Sequence, residues 1–67
     1  MSMSAKEYIE YYSVEMTADL SKIFTIIANS GENELSKDDY KKIMGICKSI
    51  EKISTVVNNK AYSEYIN

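Results

Sequence analysis

The sequence predicts an all-α fold, two helices in an antiparallel hairpin, on three observations. Two long stretches carry apolar residues at steps of three and four, a short polar segment separates them, and each stretch opens with helix-start chemistry. The 67 residues suffice for one small helical domain, 1–67, and no more.

The first helix should start at Ala5. Ser4-Ala5-Lys6-Glu7 has the form of a capping box, with Glu7 three residues after the cap. Ile9, Tyr12, Met16, Leu20, Ile23 and Ile27 then recur at helical spacing, with Phe24 joining the same stripe opposite Glu7, Val14, Ala18 and Thr25. One unbroken register argues for one helix. Two features compete with it: Tyr8 to Thr17 is rich in aromatic and β-branched residues and has strand character, and Thr17-Ala18-Asp19 could restart a helix after a break.

The turn is specified from both sides. Gly31 stands where a helix C-terminus favours a residue that tolerates positive φ. Ser36 is the next N-cap, with its hydroxyl placed to accept from the Asp39 N–H. Asp38 and Asp39 put negative charge at the positive end of the helix dipole. Leu35 and Tyr40 have the spacing of a hydrophobic staple.

The second helix runs from Lys37 to about Val57. Tyr40, Ile43, Cys47, Ile50, Ile53 and Val57 lie on one side with Ile46 beside them, an apolar arc of about 140°, wider than the seam of a two-stranded coiled coil. Asn58-Asn59 reads as a stop, followed by a short C-terminal helical turn over Ala61, Tyr62, Tyr65 and Ile66.

Each arm thus carries more apolar face than one neighbour can cover, and a chain this short seldom folds without a disulfide, a metal or a partner subunit. Cys47 is the only cysteine, and there is no His. Dimerisation into a four-helix bundle is the remaining route. Its expected core comprises Ile9, Tyr12, Met16, Leu20, Ile23, Ile27, Ile43, Cys47, Ile50 and Val57.

Charge narrows the function classes. The formal net charge is −2 and every basic residue is lysine. Residues 40–67 carry Lys41, Lys42, Lys48, Lys52 and Lys60 against Glu51 and Glu64, a formal +3, while residues 1–29 sum to −2 and 30–39 to −3. An acidic arm beside a basic arm favours the antiparallel hairpin slightly. Without Arg or a basic surplus, nucleic acid is a disfavoured partner. The lack of Pro, His, Trp and Gln beside abundant Lys, Ile, Asn, Tyr and Ser resembles coding from an AT-rich genome, such as many phages and low-GC bacteria. The N-terminus has no signal-peptide pattern and no apolar run approaches a membrane span, so a cytoplasmic protein is expected.

No catalytic residue, cofactor site or metal site is expected. There is no nucleophile elbow and no glycine-rich phosphate loop. The acidic turn lacks the ligand spacing of a calcium loop, and Cys47 has no His to activate it and reads as a small buried hydrophobe.

Two candidate partner surfaces remain. In an antiparallel hairpin the chain ends meet, so Tyr8, Tyr11, Tyr12, Tyr62 and Tyr65 gather at the open end while Tyr40 stays by the turn. Glu7-Tyr8-Ile9 even recurs as Glu64-Tyr65-Ile66. Tyrosine suits recognition because a large apolar ring carries a polar tip. Tyr8, Tyr11, Tyr62 and Tyr65 are therefore the first candidates, against the plainer reading that these rings only pack and cap the bundle end. The second surface is the outward face of Lys41, Lys48 and Lys52 with Gly45 among them, a glycine that costs about 1 kcal/mol in a helix interior.

The resulting expectation is a small non-enzymatic regulator, adaptor or inhibitor that binds a larger protein. The alternatives are a nucleic-acid-associated hairpin dimer using the lysine face, and a structural assembly component.

Overall fold

The computed structural model describes residues 2–67 and contains two α-helices, α1 over Ala5–Ser30 and α2 over Lys37–Tyr65, joined by the turn 31–36. They pack along their lengths as a hairpin of 50 × 18 × 17 Å. Its radius of gyration is 15.5 Å, against about 11 Å for a compact chain of this length, so the molecule is a rod. No helix of the described residues is long and apolar enough to cross a membrane.

α1 starts as its cap dictates. The Ser4 hydroxyl accepts from the Glu7 N–H at 3.1 Å, but the Glu7 carboxylate does not accept from the Ser4 N–H in return, so the expected capping box is only half made. The stretch with strand character stays helical, and its hydroxyls are absorbed locally. Ser13 Oγ donates to the Ile9 carbonyl at 2.8 Å and Thr17 Oγ1 to the Ser13 carbonyl at 3.0 Å, one turn back in each case. α1 ends at Gly31, whose φ of 60° lies in the left-handed region and whose N–H reaches the Ala28 carbonyl at 3.2 Å.

α2 opens with a reciprocal cap. Ser36 Oγ accepts from the Asp39 N–H at 3.1 Å, and Asp39 Oδ2 accepts from the Ser36 N–H at 3.0 Å. The second bond holds the Asp39 carboxyl below the ordinary carboxylate range, because the backbone N–H of Ser36 favours the charged form.

Two expectations are corrected. Asn58-Asn59 does not stop α2, which continues unbroken to Tyr65 rather than yielding to a separate C-terminal turn. Asn costs a helix only a few tenths of a kcal/mol, and past it Lys60 is half-buried and pairs with Glu64 at 3.6 Å. The line of contact on α1 also differs from the expected stripe. The line of contact among the half-buried and buried residues runs through Ile9, Tyr12, Met16, Asp19, Ile23, Ile26 and Ser30 on α1 and Ile43, Ile46, Ile50, Ile53, Val57 and Lys60 on α2; Ala5 and Asp39 continue it, and Tyr8, Ser13, Ser49 and Val56 are half-buried beside it. Steps of three and four alternate throughout both series, the seam of a two-stranded coiled coil. Asp19 and Ile26 occupy it where Leu20 and Ile27 were expected, and Leu20, Phe24 and Ile27 stand outside it, exposed.

This seam does not make a closed core. Among the described residues no hydrophobic side chain is fully buried, and the one buried residue is Asp19, 8% exposed. Its Oδ2 has no hydrogen-bond partner, and its Oδ1 lies 3.7 Å from Lys22 Nζ.

Candidate protein-binding surfaces

Around the open end the α1 tyrosines form a row. The Tyr8 and Tyr12 rings lie 5.0 Å apart and tilted, and Tyr11 meets Tyr12 edge-on at 5.2 Å, arrangements favoured by aromatic quadrupoles. The Tyr12 phenol is raised above its ordinary range, first by the charge of Tyr8 and then by burial.

The row borders two open hollows. One, of about 320 Å³, lies between the helices and is lined by Tyr8, Val56, Asn59, Lys60 and Ser63. The other, of about 380 Å³, lies on the outside of α1 and is lined by Met3, Tyr11 and Val14 with Glu7, Glu10 and Glu15. None of these three glutamates is ion-paired among the described residues. Tyr11 is about half exposed in its outward position. Tyr62 and Tyr65 also face solvent, Tyr65 at 86% exposure, but no ring contact joins them to the α1 row. The open end therefore presents Tyr8 and Tyr11 in hollows and Tyr62 and Tyr65 as separate exposed rings.

Lys41, Lys48 and Lys52 are exposed on the outside of α2 and make no ion pair; the pair at this end is Lys42 with Asp38, 3.2 Å apart. Gly45 sits among them with nothing within 4 Å of where a Cβ would be. No close approach inside the hairpin accounts for it.

A third surface follows from the seam. Beside it each helix carries two flanking rows that step by seven residues. On α1 one row holds Tyr8, Glu15 and Lys22, the other Ser13, Leu20 and Ile27. On α2 one holds Lys42, Ser49, Val56 and Ser63, the other Tyr40, Cys47, Ser54 and Ala61. Tyr8 shares a hollow with Val56 and Ser63, which puts their rows on one side of the hairpin. Leu20 and Ile27 therefore share the opposite side with Tyr40 and Cys47, and Phe24 and Met44 stand next to them, 67% and 63% exposed. Lys60 lies over the Tyr8 ring, and counting back from that level at about 1.5 Å per residue sets Leu20 beside Cys47, Phe24 beside Met44 and Ile27 beside Tyr40. The result is three apolar rungs on the turn half of one face.

Of the ten residues expected in the core of a dimer, Ile9, Tyr12, Met16, Ile23, Ile43, Ile50 and Val57 line the seam within the chain. Leu20, Ile27 and Cys47 face outward. Cys47, expected as a buried small hydrophobe, is exposed in the hairpin because its row flanks the seam. Sequence reasoning grouped Phe24 with Leu20 and Ile27, and Tyr40 with Cys47, but missed Met44 and the meeting of the two groups on one face of the hairpin; the signal was present in the rows that flank the seam. Comparison with protein-family models, curated proteins and solved structures finds no match to this chain.

Proposed function

We propose that the chain is a small non-enzymatic regulator, adaptor or inhibitor that binds a larger protein in the cytoplasm and works as a homodimer whose two hairpins form a four-helix bundle. The observation that carries this reading is the distribution of apolar surface. A hairpin with no fully buried hydrophobic residue among the described residues leaves aromatic and aliphatic side chains outside in two separate places. One, the rungs beside the turn, suits completion of the fold. The other, the tyrosine end, suits a partner.

At that end the hollow beside Tyr11 combines an aromatic floor with the carboxylates of Glu7, Glu10 and Glu15. Its complement is a protein segment with apolar side chains beside lysine or arginine. Capture from the native host with the full chain tests this reading: proteins retained by the parent and by Lys48→Ala but lost with Tyr11→Ala support it. Equal retention by all three contradicts it.

The unpaired, solvent-facing lysines on α2 favour a second reading, a nucleic-acid-associated dimer. Binding of duplex DNA or structured RNA at micromolar concentration, weakening steeply with salt and lost with Lys48→Ala, would establish it in place of the first.

A further inference from the structure

We propose that the second copy sits on the face formed by Leu20, Phe24, Ile27, Tyr40, Met44 and Cys47, with the two hairpins side by side and their turns at the same end. The proposal rests on the homodimer reading and assigns its interface.

Area supports a second copy as the occupant. A compact monomer of 7.6 kDa should expose about 4,300 Å², and this chain exposes 5565 Å². The excess is roughly 1,300 Å² per chain, or some 2,600 Å² for two, within the range of obligate homodimer interfaces. The Tyr8 side is an unlike surface, already occupied near the open end by Lys60 and carrying Glu15, Lys22 and Lys42 along its rows. The rows of Ser13, Leu20 and Ile27 and of Tyr40, Cys47, Ser54 and Ala61 carry no charge; the nearest charges on that side are Glu10, Lys37 and Glu51, in line with Phe24 and Met44 but beyond the three rungs.

Charge bears weakly on the direction. With the hairpins reversed about the Phe24–Met44 rung, α2 lies against α2; Lys41 of each copy then falls within one residue of the level of Lys48 of the other, and in the Met44 row Lys37 of each falls level with Glu51 of the other. With the turns together, α1 lies against α2 of the second copy. Lys41 and Lys48 then fall level with the neutral rim residues Ala28 and Ser21, and the acidic arm faces the basic one. In the reversed dimer the Lys41–Lys48 repulsion and the Lys37–Glu51 attraction offset each other, so what favours the second arrangement is the opposite net charge of the two arms it brings together, a small effect between exposed groups. Adjacent helices are antiparallel throughout, as in an up-down-up-down bundle.

The test uses the full chain. Phe24→Asp with Met44→Asp should shift the protein to monomer, with a loss of helical signal, while Val14→Asp on the outer side of α1 leaves it dimeric. In case the double variant only unfolds, the parent supplies an independent readout. Cys47 should react with Ellman's reagent at least tenfold more slowly at concentrations where the dimer forms than at dilutions where it has dissociated. Direction is read from spin labels at Asn59→Cys in a Cys47→Ser background: turns together put the labels roughly 25–30 Å apart, and reversed hairpins about 45 Å or more. A parent that is monomeric overturns the homodimer reading as well. A dimer that survives Phe24→Asp and Met44→Asp, or in which Cys47 reacts at the rate of a free thiol, overturns the face alone. A separation of about 45 Å or more overturns the direction.

Discussion

Lys60 reaches across the open end of the hairpin and holds its ammonium 5.4 Å from the centre of the Tyr8 ring. The contact joins the first turns of α1 to the last turns of α2 and locks the level at which the two helices run past each other. It also explains a lysine in an otherwise apolar series: its stem covers the seam while its charge meets the ring face and Glu64.

Lys60→Ala should therefore loosen the open end first. The expected loss is about 0.5–1 kcal/mol, the range of a partly exposed cation–π contact. Hydrogen exchange should accelerate over residues 5–12 and 57–65 and remain unchanged near the turn. Uniform acceleration along both helices would argue against a local role.

Asp19 occupies a seam position with a carboxylate oxygen that finds no partner. Asp19→Leu should stabilise the protein by roughly 1–3 kcal/mol, the usual cost of an unsatisfied buried polar group. Chemical denaturation measures it. A lower midpoint for the variant would mean that the carboxylate contributes an interaction that outweighs this cost.

Ser36→Ala removes the hydroxyl that accepts from the Asp39 N–H and should cost about 1 kcal/mol. Coincident unfolding curves for variant and parent would show that this cap does not hold the start of α2.

Acid should act at the same cap. Because the folded-state pKa of Asp39 is depressed, its contribution is present above the ordinary carboxylate range near 4 and is lost as pH falls through the folded value. On acidification below about pH 4 the parent should therefore lose stability faster than Asp39→Asn. Thermal midpoints measured from pH 6 to pH 2 check the sign; parallel curves would contradict it.

Both helices, their N-cap serines and the positive φ at Gly31 were legible in the sequence because each depends on residues within one turn of one another; the reciprocal capping box expected at Ser4–Glu7 forms instead at Ser36–Asp39. The end of α2 was not. Asn58-Asn59 has stop chemistry locally, and what carries the helix through is the packing of Val57 and Lys60 on α1. The division of the apolar surface was equally hidden. α1 has apolar residues at three angular positions, and a wheel cannot tell which two face the chain's own second helix. Skipping Asp19 as charged drew the expected stripe onto Leu20 and Ile27, whereas steady alternation of three and four runs through Asp19 and Ile26. The open-end tyrosines were placed correctly by hairpin geometry, but the acidic rim of the Tyr11 hollow depends on side-chain positions that spacing alone does not reveal.

Sedimentation equilibrium on the full-length chain, read beside its helical signal across a dilution series, tests most directly whether a second copy completes the fold. A species of about twice 7.6 kDa is expected at tens of micromolar, with helicity falling as dilution dissociates it. A 7.6 kDa species that keeps its full helical signal at every concentration would contradict it.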